Sequence, residues 1–413
     1  MACILFLTQV LPYPLDSGAK IRAYYVLRHL VSQHEVTLVS FVRADDRPEH
    51  TAHLERFCRA VYTVPMQRSR LRDARALLVA LFSGQSIVIV RDEIGEMRAT
   101  LRRLVEGKTF DIVHADQTSM AQYALYARSR TPDPERRQTT RLVLDAHNAL
   151  YRIPERMSAH ERNPLKRLAF RREARALARY EAQVYQRFDH VVFVADEDRQ
   201  VLQERMQRSV EDARFTTIPI CVDPEEKPLL ERTQHLRAIT HLGTMFWPPN
   251  VEGVLWFAQE VFPQVLAQVP EAQFVIVGKN PPQQVRDLSF QTRNIHVTGY
   301  VPHPVPYLAE TAVFIVPLHA AGGMRVKILD AWCWGVPIIS TSIGAEGIAV
   351  RDGENILIAD TPNTFAQAVV RVLQEPMLGE RLRENGRRWV QERYNWRRVY
   401  ARWDEVYQRL ITR

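Results

Sequence analysis

The segment Ala321-Gly-Gly-Met-Arg-Val-Lys-Ile-Leu-Asp330 gathers the residue types that handle a charged sugar ligand. It follows an apolar run, Val313 to Pro317, and continues as a helical pattern. It closes on Gly335-Val-Pro337 and a second apolar run, Ile338 to Thr341. Glycines ahead of a helix, here Gly322 and Gly323, leave backbone N–H groups bare, and a helix N-terminus favours an anion. Arg325 and Lys327 add two cations within the first turn. Asp330, one turn further on, is a carboxylate that can accept hydrogen bonds from sugar hydroxyls. A phosphate site, two cations and a carboxylate together point to a bound nucleotide-sugar. Singly, each residue has an ordinary reading as well: a Gly-Gly pair makes a tight turn, and an Arg or Lys is often solvated.

Two further stretches carry chemistry. In the loop Leu11 to Ala19, Asp16 or Ser17 can cap a following helix, and Gly18 lets a ligand approach the backbone. Lys20 and Arg22 follow closely. They are candidates to hold an anionic acceptor, with solvated side chains as the alternative. Asp145-Ala-His147-Asn148 ends a strand-like run, and a His at the carboxyl end of an α/β strand faces the ligand side of the sheet. His114, ending the preceding strand, is the weaker candidate of the two. No Asp-x-Asp in strand context and no His/Cys/Glu set stands out, so no metal is expected.

These residues need a scaffold that brings strand ends together, and the chain supplies its pattern. Short apolar runs alternate with helical stretches. Ile4–Val10, Val36–Phe41, Ile112–His114, Leu142–Ala146 and Val191–Val194 read as buried strands, and Ile21–Ser32 and Met120–Ala127 as helices. That alternation predicts parallel sheets with helices on both faces. Ile218 to Pro228, with its prolines followed by charges, reads as a linker. After it the alternation restarts at Ala238–Leu242, then a helix from Val251, then Phe274–Val277, Ile295–Val297, Val313–Val316 and Ile338–Ser340. With 413 residues the chain is too long for one typical core. The expected division is 1–222, a linker 223–237, and 238–395. Residues Trp396 to Ile411 carry apolar residues at helical spacing. Two doubly wound Rossmann-like domains would face a central crevice, where ligands bind at the strand ends.

Composition narrows the classes. Hydrophobic content of 46% and charged content of 25% are those of a globular protein. The net charge of +8 favours an anionic partner. Cys3, Cys58, Cys221 and Cys333 are scattered, which argues against a disulfide framework and for a reducing, cytoplasmic setting. The run Cys3 to Val10 is too short for a signal sequence, and no stretch approaches a membrane span.

The Gly-Gly-Met-Arg-Val-Lys-Ile-Leu-Asp run resembles the nucleotide-sugar site of retaining family-4 glycosyltransferases of the GT-B fold. More closely it resembles bacterial sugar transferases of exopolysaccharide clusters. The resemblance implies a nucleoside-diphosphate sugar as co-substrate, no separate cofactor, and a glycan or lipid-linked acceptor. It implies donor contacts at Gly322, Gly323 and Met324. The Gly18 loop would cover the diphosphate and acceptor, and His147 would contact the donor sugar. The backbone near Val301, in Gly299-Tyr-Val-Pro-His, would hold the base. Glu346, in Gly344-Ala-Glu-Gly, would close the phosphate side, with a turn residue as its alternative. It also implies that the helix 396–411 packs back on the first domain. Two departures stand out. In Gly243-Thr-Met-Phe-Trp-Pro-Pro-Asn250, Thr244 and Asn250 stand where the family has cations that grip the diphosphate, so Arg325 and Lys327 are expected to supply that charge. Of the family's acidic pair, only Asp330 is present, and Gly322 stands at the other place.

The stretch Arg162 to Arg179 holds Lys166, Arg167, Arg171, Arg172, Arg175 and Arg179 on a helical pattern. It is either a solvated face or a surface for anionic lipid, peripheral to a membrane. No aromatic-interleaved basic patch points to nucleic acid. Two rival functions remain on the sequence: a nucleotide-sugar epimerase on the same scaffold, and a non-catalytic sugar-nucleotide or glycan-binding protein.

Overall fold

The computed structural model describes residues 1–67, 69–207, 212–231, 237–245, 247–320 and 322–412, with the backbone alone at His160. Ala321, Phe246 and residues 232–236 of the expected linker lie outside the described residues. The chain divides into two compact units. One comprises Met1–Cys221, Gly322–Met324 and Trp396–Arg413, and the other Val222–Ala321 and Arg325–Asn395.

The first unit holds a seven-stranded sheet: β1 (Cys3–Thr8), β2 (Glu35–Val42), β3 (Ala60–Pro65), β4 (Ile112–Asp116), β5 (Arg141–Ala146), β6 (His190–Phe193) and β7 (Phe215–Thr217). The order is β3-β2-β1-β4-β5-β6-β7, with every pair parallel. The central strands are buried on both faces, which is why they read as unbroken apolar runs. The order reverses between β1 and β4, and ligands bind outside the carboxyl ends of strands at such a point. There the register sets Thr8, Asp116 and Asp145 side by side.

The C-terminal segment forms two short helices, Trp396–Val399 and Arg402–Ile411. Trp403, Val406, Tyr407 and Leu410 bury one face of the second, the i, i+3, i+4, i+7 spacing of an amphipathic helix. His114 sits beneath it. Its ring stacks on Phe6 at 4.3 Å, and Nδ1 lies 2.7 Å from the Tyr407 hydroxyl.

The second unit holds β8 (Ala238–Leu242), β9 (Gln273–Val277), β10 (Ile295–Gly299), β11 (Thr311–Val316), β12 (Ile338–Ser340) and β13 (Leu357–Ile358). They form one parallel sheet in the order β10-β9-β8-β11-β12-β13. Its switch lies between β8 and β11. Both expected α/β halves are therefore present. The sequence reading missed β3, β7 and β13, which are short or half exposed.

Candidate active site

In the second unit the site builds up around Gly243, the residue after β8. The Val326–Trp334 helix brings Lys327, whose Nζ lies 3.2 Å from Asn250 Oδ1. Asn250 is in the first turn of the Pro248–Trp256 helix, and its Nδ2 donates to the Thr244 carbonyl at 2.9 Å. A side chain at Gly243 would meet Lys327 Nζ at 2.8 Å, Asn250 Nδ2 at 2.9 Å and His241 Nε2 at 3.1 Å. Three polar side-chain ends therefore converge on its bare backbone, in the space a side chain would take. His241 donates from Nδ1 to the Ile315 carbonyl at 3.1 Å, which leaves Nε2 as an acceptor. Nothing in the sequence singled His241 out, because it sits inside an apolar strand.

Burial, and then the neighbouring Arg325, push the Lys327 ammonium down to about 7. Desolvation, reinforced by Lys327, holds His241 well below its ordinary range. A doubly anionic ligand at Gly243 would reverse both effects on the lysine, since opposite charge favours the ammonium form. Lys327 thus lies against Asn250, beside the bare backbone of Gly243.

Arg325 behaves differently. Its guanidinium is buried and donates from Nε to the Gly344 carbonyl at 3.0 Å and from Nη2 to the Glu346 carbonyl. It braces the loop after β12. Glu346 accordingly enters this network through its backbone.

Asp330 forms an ion pair with Lys227, on the segment following the first unit. Burial opposes the Lys227 charge, but Asp330 outweighs it and the ammonium is held above its ordinary range. Lys227 is itself positioned by Arg387, which donates to the carbonyls of Pro224, Lys227 and Cys333. Val301 follows β10 on a turn where Gly299 has φ +73 and its carbonyl accepts the Gly278 N–H at 3.0 Å.

The first unit holds a buried charge network at the ends of β4 and β5. Arg22, fully buried, clasps Asp145 with Nε at 2.8 Å and Nη2 at 3.1 Å. Its Nη1 donates to the Pro219 carbonyl at 2.6 Å and to the Tyr400 hydroxyl at 3.0 Å. Arg22 was expected as an acceptor-holding or solvated cation. The fold corrects that, since a helix face turned onto the sheet carries it inward. His114 is corrected too: fully buried beneath the C-terminal helix, its ring is depressed by desolvation to about 3 and is a core group. Asp16 pairs with Lys20 at 3.2 Å, and Ser17 precedes Gly18 at the helix start without a side-chain capping bond.

His147 Nε2 lies 2.8 Å from Asp116 Oδ1 and 3.9 Å from Asp145 Oδ2. Burial opposes its charge, but the Asp116 bond and the two carboxylates prevail, so His147 is raised above its ordinary value. Gly323, at φ +69, packs beside it: a side chain there would lie 2.8 Å from the His147 carbonyl oxygen. Met324 Sδ accepts the Ile220 N–H at 3.2 Å, and Gly322 borders Ile153. Asp116, Asp145 and His147 bring one ligand atom each to within 4.8 Å, a group the sequence reading did not find. Arg22 occupies both Asp145 oxygens, and Nε2 of His147 is engaged with Asp116. The second Asp116 oxygen, Oδ2, is buried and has no hydrogen-bond partner among the described residues.

Because His147 is raised, its bond to Asp116 contributes stability that is full below about pH 6.5 and is lost as pH rises through the raised value. Asp116→Asn should lower the imidazole titration, read by NMR of the ring protons. An unchanged titration would contradict the pairing.

Residues 17–226 match the family model described as Glycosyltransferase Family 4, and residues 237–375 the one described as Glycosyl transferases group 1. A Klebsiella pneumoniae protein described as an uncharacterized 44.6 kDa protein in the cps region is 21% identical over 420 residues, covering 97% of this chain and 98% of its own. A GDP-mannose-dependent phosphatidylinositol monomannoside mannosyltransferase of Mycolicibacterium smegmatis is 25% identical over 158 residues, 35% of this chain and 41% of its own. Among solved structures, Anabaena HepE in complex with UDP-glucose superposes with a TM-score of 0.68 at 14% identity, over 99% of this chain and 100% of that one. Two parallel sheets of this order, matched end to end by such structures, define the GT-B fold, and the two family models make the chain a glycosyltransferase. The chain belongs to glycosyltransferase family 4, and one of its relatives is a protein of a cps region.

Proposed function

We propose that the protein transfers a sugar from a nucleoside-diphosphate sugar to an acceptor hydroxyl with retention of configuration, in the assembly of a bacterial surface polysaccharide. The observation that carries this reading is Lys327 Nζ against Asn250 at the bare backbone of Gly243. In the reaction the bond from the anomeric carbon to the diphosphate oxygen breaks as the acceptor oxygen bonds to that carbon. The acceptor's proton passes to the departing phosphate on the same face. The charge that develops is on the diphosphate, and a cation preorganised in a desolvated place stabilises it more in the transition state than in the ground state. Lys327 takes that role, and Arg325 fixes the loop beside it. His147, oriented by Asp116, contacts the transferred sugar, and Asp330, oriented by Lys227, accepts from donor hydroxyls.

The test is a thermal-shift panel of UDP-, GDP- and ADP-sugars, because a ligand that binds only the folded state stabilises it by mass action. The stabilising donor is then incubated with and without acceptor glycans or lipid-linked sugars. Transfer with the anomeric configuration kept supports the reading. A sugar-nucleotide epimer formed without acceptor, or binding without any turnover, overturns it in favour of an epimerase or a binding protein.

Asp330→Asn should weaken the donor about tenfold, the roughly 1.5 kcal/mol of a hydrogen bond to a charged group. The pH–rate profile should keep its shape. If an ionisation near neutrality disappears while donor affinity holds, Asp330 moves a proton instead.

A further inference from the structure

The Arg70–Ser83 helix is turned inside out. Its buried residues are Ala76 and Ala80, while Leu71, Leu78, Leu81 and Phe82 face outward, Leu71 at 84% and Phe82 at 91% exposure. Leu71, Leu78 and Phe82 follow i, i+7, i+11, so they form one stripe along the solvent side. The helix is held in this orientation by its neighbour, Pro164–Tyr185. Arg172 of that neighbour donates to the Ala80 carbonyl, and Arg179 to the Gly84 carbonyl at 3.0 Å. Glu173 receives Ser86 Oγ at 2.6 Å and the N–H groups of Ile87 and Val88. Two of the cations expected to face outward therefore tie the helices together. The N-terminal half of the neighbour adds exposed Leu165 and Leu168, interleaved with exposed Lys166, Arg167 and Arg171. Arg70 and Arg75 are exposed on the first helix.

We infer that this pair of helices is a docking surface for an anionic phospholipid bilayer. The leucines and Phe82 enter the acyl boundary, and the interleaved cations meet lipid phosphates, the two contributions by which interfacial helices bind. Charge selects this occupant. A second copy of the chain would bring the same cations onto one another, whereas an anionic surface complements them. Among the described residues no helix is long and apolar enough to cross a membrane, so attachment here would be peripheral. The inference goes beyond the transferase reading, and its failure leaves that reading intact.

The test is co-sedimentation of the full chain with phosphatidylcholine vesicles, with and without phosphatidylglycerol. Wild type should bind the anionic vesicles at low salt, lose binding as salt rises, and bind neutral vesicles poorly. L71S/L78S/F82S and K166Q/R167Q/R171Q should each bind at least tenfold more weakly, with unchanged circular dichroism, since Arg172 and Arg179 are retained. The emission of Phe82→Trp should shift to the blue on anionic vesicles. Equal sedimentation of both triple variants and wild type overturns the inference, as does an unshifted Phe82→Trp. So does a serine variant that changes only from dimer to monomer by light scattering, which would make the face a contact between copies.

Discussion

Arg22→Met should lower stability by about 3–5 kcal/mol, because it leaves the Asp145 carboxylate buried without its partner. Both members of the pair are fully inaccessible, so solvent cannot take the place of the lost guanidinium. The same change releases the Pro219 carbonyl and the Tyr400 hydroxyl. It should therefore loosen the C-terminal segment as well as the strand ends. At 2–4 °C per kcal/mol for a unit of this size, the melting temperature should fall by roughly 6 °C or more. The pH dependence gives a second readout. Burial alone would raise the Asp145 carboxyl, but Arg22 and then His147 hold it below its ordinary range. A depressed carboxyl contributes stability that is present above about pH 3.9 and lost as pH falls through the folded value. In Arg22→Met that carboxyl would instead rise and take up a proton with acidification. The gap between wild type and variant should narrow from pH 8 to pH 5. Asp145→Asn in the Arg22→Met background should recover part of the loss at pH 8. A variant melting within about 2 °C of wild type at pH 8 would show that the pair carries little of the fold.

The fold was legible because parallel strands buried on both faces leave continuous apolar runs, such as Leu142–Ala146, that survive without knowledge of their neighbours. Strands lacking that signature went unread: β3 is half exposed, and β13 is two residues long. The cationic pair of the candidate site was legible for a similar reason. Arg325 and Lys327 lie on one short segment, where spacing alone places them at a helix start. What spacing could not supply was direction. Arg325 and Lys327 are two residues apart, yet one braces carbonyls and the other reaches Asn250. Arg22 resembled any helix-surface arginine until the fold set it on a carboxylate 123 positions away. Lys227 is likewise 103 positions from Asp330. The Arg70–Ser83 helix could have been noticed from its sequence, since Leu71, Leu78 and Phe82 fall on one face and Ala76 and Ala80 on the opposite one.

Lys327→Ala should reduce turnover by about 3 kcal/mol, roughly 10²–10³-fold, the scale of one preorganised group acting on charge that develops in a desolvated site. Its structural cost should be small. The ammonium is held near 7 by burial and by Arg325, so the folded chain carries this charge at a disadvantage. With the folded value below the ordinary 10.5, the unfolded chain binds more protons between these limits, and the free protein gains stability as pH rises through that window. Removing the amine removes that dependence. A bound nucleoside diphosphate inverts it, because its charge draws the lysine back to the ammonium form. Binding of the diphosphate at about pH 8 should therefore take up close to one proton, measured by calorimetry in buffers of different ionisation enthalpy. Uptake should fall as the pH approaches 6, where Lys327 is already protonated, and it should vanish in Lys327→Ala. Arg325→Ala should separate from this behaviour: its guanidinium holds the Gly344 and Glu346 carbonyls, so melting temperature and turnover should fall together. Full turnover in Lys327→Ala, with proton uptake as in wild type, would remove this lysine from the diphosphate and move the leaving-group charge to another residue.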